Sequence, residues 1–332
     1  MAKSTVSVLD VGHGNCTVVA DTAGVVVIDA GPGPTLLEFL EKERIGKVDV
    51  IAISHADEDH IKGLISLLES ARVSVDVVRL NSDAMKGSAT WLDLTFVLNG
   101  LNREGRVRFD VGLTTNDTGS FDQGIVHIEV LAPTPGLAAR GPGSRDYKGR
   151  RLTSNSMSAV FRLIRGARPI MLLPGDVDEV GLENLIDTTP DTKAEIAVFP
   201  HHGGATRASD LSRFATRFTE AASPKNVIFS IGRGRYATPR PEVVVAVRTA
   251  APQVRILCTQ LSEHCSSAVP VDDPSHLFDG ISKGRESRKC CAGTIVFSVD
   301  GPDLSLCPTL DSHREFIAIA APSALCMRNL QY

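Results

Sequence analysis

Two imidazoles and two carboxylates fall within six positions, His55-Ala56-Asp57-Glu58-Asp59-His60, and all four side chains can hold a divalent cation. The run follows Val48-Asp49-Val50-Ile51-Ala52-Ile53, which reads as a strand, and precedes Gly63 and a Leu-rich helical pattern. On an extended turn, alternate residues His55 and Asp57 project the same way. The adjacent pair Asp59 and His60 then diverges toward a second ion roughly 3.5–4 Å away, the usual two-metal separation. A solvated acidic loop with incidental histidines is the plain alternative, but it does not explain why the run sits on an apolar strand. Farther along, Leu172-Leu173-Pro174-Gly175-Asp176 ends an apolar stretch in an acid, and Pro200-His201-His202-Gly203-Gly204 sets two imidazoles after another.

The first run resembles the metal-binding motif of the metallo-β-lactamase superfamily, usually His-x-His-x-Asp-His, with Asp57 in place of the second His. That variant is similar to the hydrolase domain of ComEC-type competence proteins, which act in DNA uptake. The resemblance runs from about residue 5 to about residue 300 and is carried by several ordered segments. Leu9-Asp10-Val11-Gly12-His13-Gly14-Asn15 resembles the subfamily's opening turn, and Val27-Ile28-Asp29-Ala30-Gly31 the superfamily's first motif. Ser154-Asn155-Ser156-Met157-Ser158, the Gly175-Asp176 pair and the His201-His202-Gly203 segment continue the series in order. The resemblance implies a four-layer αββα sandwich, an α/β fold with metal ligands on loops at one edge of paired sheets. It implies that His55 and Asp57 hold one ion, Asp59 and His60 the other, and that Asp176 bridges them. Asp59 and Asp176 are then the acids on which catalysis rests, and Asp29 orients a liganding His by accepting its other ring proton. Adjacent side chains on an extended segment point apart, so one of His201 and His202 reaches an ion, with His202 preferred.

Two departures stand out. The only His between the first run and Asp176 is His127, inside an apparent strand, so the first ion is poor in nitrogen, with Asn155 or Ser156 beside it. Oxygen-rich ligation favours manganese or magnesium over zinc. Arg235-Tyr236-Ala237-Thr238-Pro239 resembles a Tyr-Gly-His-Pro segment with Thr238 where His is expected. For an anionic substrate, Lys62, Arg207 and Arg235 are candidate contacts, and backbone N–H groups near Gly203 and Gly204 can face an anion.

The chain has 332 residues, 42% of them hydrophobic, and a formal net charge of −4. That length buries a full core, while the charge provides no global attraction to nucleic acid. No apolar run approaches a membrane span and the N-terminus lacks signal-peptide architecture, so a cytoplasmic location is expected. Apolar β-type runs alternating with helical patterns predict strands near 75–80, 125–131, 159–164, 169–173, 196–199, 226–231, 255–257 and 293–299. Residues 134–152, rich in Gly, Pro and Arg, read as a surface loop whose arginines favour an anionic substrate.

Residues 1–257 are expected to form the hydrolase domain, with 258–332 a Cys-rich extension packed on it. Six of seven cysteines lie in that last part. Cys258, His264, Cys265, Cys290 and Cys291 can supply a structural zinc; buried free thiols acting as small hydrophobes are the alternative. The expected activity is hydrolysis of a phosphodiester in DNA, RNA or a nucleotide by a water activated between two divalent ions, zinc or manganese. Hydrolysis of a carbon-centred ester, thioester or lactone, and a triggered effector module with a protein partner, as in a defence system, remain alternatives.

Overall fold

The computed structural model describes residues 3–206, 208–234, 236–271, 274–301 and 303–327. The chain opens with antiparallel β1 (Thr5–Val8), β2 (Thr17–Ala20) and β3 (Val25–Ile28). Three parallel crossovers follow: α1 (Thr35–Lys42) to β4 (Lys47–Ala52), α2 (Glu58–Ser70) to β5 (Ser74–Leu80), and α3 (Ala89–Arg103) to β6 (Arg108–Val111). The second half repeats the logic. Antiparallel β7 (Val126–Ala132), β8 (Val160–Arg165) and β9 (Arg168–Leu173), with a short α4 (Pro135–Ala138) in the first connection, lead into another parallel series. There α5 (Glu179–Thr188), α6 (Leu211–Ala222) and α7 (Pro241–Ala250) link β9 to β10 (Ile196–Val198), β11 (Asn226–Phe229) and β12 (Arg255–Cys258). The chain then returns to the first sheet through β13 (Ile295–Ser298) and β14 (Ser305–Cys307), before α8 (Leu310–Ala320).

The result is an eight-stranded sheet ordered β14-β13-β1-β2-β3-β4-β5-β6 facing a six-stranded sheet ordered β12-β11-β10-β9-β8-β7. Strand periodicity explains the layers, because successive side chains point to opposite faces. Val26, Ile28, Val50 and Ala52 meet Phe161, Leu163, Ile196, Val198 and Ile228 between the sheets. Val27 and Ile51 point the other way, under the leucines of α1, α2 and α3. Leu172, Ala197, Val227 and Phe229 lie under α5, α6 and α7. Strands covered on both faces need continuous apolar runs, which is how these read. The sandwich is therefore helix, sheet, sheet, helix.

Three features differ from the sequence expectation. The stretch 134–152 is held by charges within it and on α5: Arg150 pairs with Asp146 and Glu183, Lys148 with Asp187, and Arg140 stacks on Tyr147 at 4.6 Å. β14 and α8 extend the regular structure beyond residue 299; their short, half-buried sequences carry weak periodicity. In the parallel series, α2 begins at Glu58, so Asp59 and His60 occupy a first helical turn and not an extended one. Among the described residues no helix is long and apolar enough to cross a membrane.

Phe199, fully buried after β10, anchors the second helical layer, with the rings of Phe229, Phe218 and Phe214 at 5.0, 5.2 and 6.4 Å. Phe199→Ala is expected to remove about 3–5 kcal/mol of stability, the range for Phe-to-Ala truncation in a core. The check is a lower urea midpoint at unchanged slope.

Candidate metal centre

In both parallel series the chemistry gathers just past the carboxyl ends of the strands, where open α/β sheets place ligands. Asp29 follows β3, His55 and Asp57 follow β4, Asp176 follows β9, His201 and His202 follow β10, and Ser230 follows β11. Packing the two sheets face to face brings these loops together.

Asp29 sits in left-handed backbone (φ 59°), which turns its carboxylate back beneath the first turn of α2. One oxygen accepts the Ser54 N–H at 2.7 Å; the other accepts the Ser54 hydroxyl at 2.8 Å and the His60 Nδ1–H at 2.7 Å. With Nδ1 so engaged, His60 directs Nε2 at Asp176 Oδ1, 3.1 Å away. α2 can approach this turn because Gly63 carries no Cβ; one built there would lie 2.2 Å from the Gly31 carbonyl oxygen. His202 is oriented in the same manner. Its Nδ1 donates to the Ser230 carbonyl at 2.7 Å, and its Nε2 faces Asp59 Oδ2 at 3.0 Å and Asp176 Oδ1 at 3.6 Å. The His55 Nδ1 lies against the hydroxyls of Ser54 and Ser158, leaving its Nε2 3.9 Å from Asp57 Oδ1 and 3.9 Å from Asp176 Oδ2. Gly175, at φ 56°, lets the Asp176 loop turn against Ser54 and Ser158, and the Ser158 hydroxyl accepts the Asp176 N–H.

Ligand atoms of Asp59, His60, Asp176 and His202 all lie within 4.8 Å of one another, the one such group among the described residues. His55 Nε2, His60 Nε2 and Asp176 Oδ1 are buried with no hydrogen-bond partner. Buried polar atoms rarely stay unsatisfied, and His60 Nε2 and Asp176 Oδ1, 3.1 Å apart within that group, are atoms a divalent cation would take. The protons of the metal-free site follow the same charges. Burial alone would raise the Asp176 carboxyl, but His60, His202 and His201 outweigh it and hold it well below the usual range. Burial alone would lower His60, but Asp176 and Asp29 hold it well above the ordinary imidazole value. His55 is pushed down by burial and by the charge of His60. A protonated His60 thus neutralises the buried carboxylates until an ion displaces its proton.

The adjacent histidines do separate, through left-handed backbone at both positions (φ 50° and 57°) and not through an extended segment. His202 enters the group above; His201 bonds the outer oxygen of Asp176 at 2.8 Å and forms part of the cleft wall. Asn155 reaches His201 at 3.5 Å, while Ser156 turns to Asp178. His127 pairs with Asp122, away from the centre. The cleft above the acids, about 580 Å³, is lined by His13, Lys62, Lys86, Tyr236, Thr238 and Arg240 among others. Arg207 and Arg235 lie outside the described residues. Sequence reasoning missed His13, Lys86 and Arg240. His13 is the variable residue between two glycines at the β1–β2 turn and packs 4.3 Å from the His202 ring and 4.2 Å from Tyr236; an imidazole in a tight turn after a strand was the available signal.

The structure gathers part of the tail ligand set and not the rest. Cys258, Cys265 and Cys291 line one apolar pocket with Cys326. Cys290 donates instead to Asp10 at 3.4 Å, and His264 Nε2 meets the Ala237 carbonyl at 3.1 Å. Burial pushes the Cys258 and Cys291 thiols well above their ordinary value, as expected of small hydrophobes.

Asp29→Asn is expected to weaken metal binding about 10- to 100-fold, the range for losing such an orienting partner, measured by chelator competition. Because His60 holds its proton in the metal-free site, ion capture at neutral pH should release about one proton, and affinity should fall on acidification. Calorimetry in buffers of different ionisation enthalpy reads both.

Residues 9–139 match the family model described as the metallo-beta-lactamase superfamily. ComE operon protein 3 of Bacillus subtilis (strain 168) is 24% identical over 281 residues, which cover 78% of this chain and 32% of that protein. The chain therefore spans about a third of that relative's length. Among solved structures, the metallo-beta-lactamase fold protein YhfI from Bacillus subtilis aligns with 76% of this chain and 96% of its own, at 11% identity and a TM-score of 0.48. The short form of human tRNase Z aligns with 68% and 91%, at 14% identity and a TM-score of 0.41. The matched segment spans the His55 run, and the two-sheet sandwich gathers a His/Asp cluster at one edge, so this part of the chain is similar to the metallo-beta-lactamase superfamily.

Proposed function

We propose that this protein is a metal-dependent hydrolase of the metallo-beta-lactamase superfamily and that it cleaves a phosphodiester, in a nucleic acid or a nucleotide. The observation that carries the reading is the cleft itself: above the His/Asp cluster stand the cationic side chains of Lys62, Lys86 and Arg240, around a volume of about 580 Å³. A neutral ester, thioester or lactone gains nothing from such a rim. A phosphodiester brings a charge that the rim neutralises and that would otherwise face Asp57, Glu58 and Asp59 across the same space.

On this reading Asp59, His60, Asp176 and His202 hold a zinc or manganese ion, with His55 and Asp57 beside them. The ion supplies Lewis acidity toward water and a phosphoryl oxygen when bound. The chain does the rest. Asp29 and the Ser230 carbonyl keep His60 and His202 presenting Nε2 to the centre. Asp59, the most exposed of the four at 26% for its side chain, stands at the cleft floor, next to the incoming phosphorus. Lys62 and Arg240 orient the anion from the walls. Thr238, where the resemblance calls for His, is buried and lines the cleft without an imidazole's proton. His13 and His201 are the imidazoles on the cleft walls, and leaving-group protonation falls to that part of the site.

Asp59→Ala and Asp176→Ala are each expected to abolish hydrolysis with the circular-dichroism spectrum of the parent retained. The assay uses single- and double-stranded DNA, RNA and a nucleotide diester, each with manganese, magnesium and zinc. Turnover of a thioester or lactone with none of the phosphodiesters cut would sink the proposal. So would parental activity in either variant.

A further inference from the structure

The two halves of the metal centre are not equally ready to hold an ion. Asp59, His60, Asp176 and His202 are assembled, with every ligand atom inside 4.8 Å. On the other side His55 Nε2 is 3.9 Å from both Asp57 Oδ1 and Asp176 Oδ2, and Asp57 already has a cation: Lys86 Nζ sits 2.5 Å from its Oδ1. Both partners of that pair are largely covered, with side chains 22% and 28% exposed.

The pair is built, not incidental. Lys86 lies in the loop between β5 and α3, where Asp83 accepts the Met85 N–H at 3.0 Å through its carboxylate and the Lys86 N–H at 3.2 Å through its carbonyl. The other carboxylate oxygen of Asp83 takes the Ser154 hydroxyl, tying the loop to the segment that carries Asn155. Ser88 then caps α3. Asp57 stands at the N-cap of α2 yet makes no capping hydrogen bond. An aspartate there ordinarily takes a backbone N–H of the first turn; this one turns toward Lys86 and the cleft. At the same time His55 Nε2 is buried and unsatisfied, so the half-site keeps a nitrogen donor aimed at an ion position whose carboxylate the ammonium shares.

We propose that Lys86 competes with a divalent ion for Asp57, so that the centre loads one ion tightly and admits a second only by displacing the ammonium. The inference rests on the metal-holding reading of the Asp59 cluster and not on the substrate. A dication between His55 and Asp57 would face Lys86 at close range, and like charges at that separation repel even when partly screened. Displacement swings Nζ into the cleft that Lys62 and Arg240 also line, where it adds to the surface facing an anion. The second ion and the bound anion then favour one another, because each relieves the same ammonium of its pairing with Asp57.

The test is titration of manganese into the metal-stripped full chain, with free ion followed by electron paramagnetic resonance. The parent is expected to bind one ion tightly and a second about tenfold or more weakly, the scale of one charge removed at close range from a partly screened site. Lys86→Met should tighten only the second ion, by about the same factor. Lys86→Arg, which keeps the charge, should leave the two affinities apart. Asp57→Asn should remove the second ion and spare the first. Two ions of matching affinity in the parent, or a Lys86→Met protein with an unchanged second affinity, would overturn the proposal. Absence of any tight ion would instead overturn the metal reading of the Asp59 cluster, and the competition with it.

Discussion

Everything at the centre depends on how a buried carboxylate, Asp29, is satisfied. It is 2% exposed and accepts three hydrogen bonds, from the backbone and hydroxyl of Ser54 and from His60. A carboxyl group so deeply buried is tolerable only when it is hydrogen-bonded. Those three bonds meet that need and also tie the end of β3 to the end of β4 and the first turn of α2. A single residue thereby sets the relative position of strand, loop and helix in the first half of the site. The second half uses a backbone carbonyl, that of Ser230, for the equivalent task on His202. The two supports differ in kind, and the charged one is on the side where the ligands are most numerous.

The sandwich makes this local arrangement productive. Each sheet alone would leave its loops facing open solvent, with Asp176 and His202 on one and His60 on the other. The apolar faces between the sheets, with Ile28 and Ala52 meeting Phe161 and Val198, fix how far apart the loops lie. Burial of side chains such as Ile28, Phe161 and Val198 contributes about 1.5–3 kcal/mol each, and that energy helps to hold the buried acids and imidazoles close together. The charge cluster is a local opposition that the surrounding core outweighs, as functional sites commonly are.

Much of this was legible from residue order. Strand runs rich in Val and Ile, a helix after the His55 run, and acids or histidines just past apolar segments follow from local periodicity, and the parallel series magnifies it. What was not legible depends on distant approach. Lys86 sits in a loop with no pattern of its own and acquires meaning only when α2 presents Asp57 to it. Arg240 and His13 enter the cleft because β11 and the β1–β2 turn are brought to one edge, which no spacing announces. The clustered cysteines are divided by the fold: Cys258, Cys265 and Cys291 share a pocket with Cys326, while Cys290 turns to Asp10. The basic residues of 134–152 were read as favouring an anionic substrate; in the fold Arg150 and Lys148 pair with acids of α5.

The pairing of β13 with β1, Thr5 against Ser298, joins segments separated by almost the whole described chain. Until the later strand arrives, the earlier hairpin has an open edge, a row of unpaired N–H and C=O groups able to recruit any extended segment. Vectorial synthesis makes that interval long, since the first strands emerge well before their final neighbour. Assembly of the first sheet is therefore a late, non-local event, of the kind that slows folding and leaves partly built species prone to association. The four-residue length of β1 limits the hazard, because a short edge offers few rungs to a wrong partner.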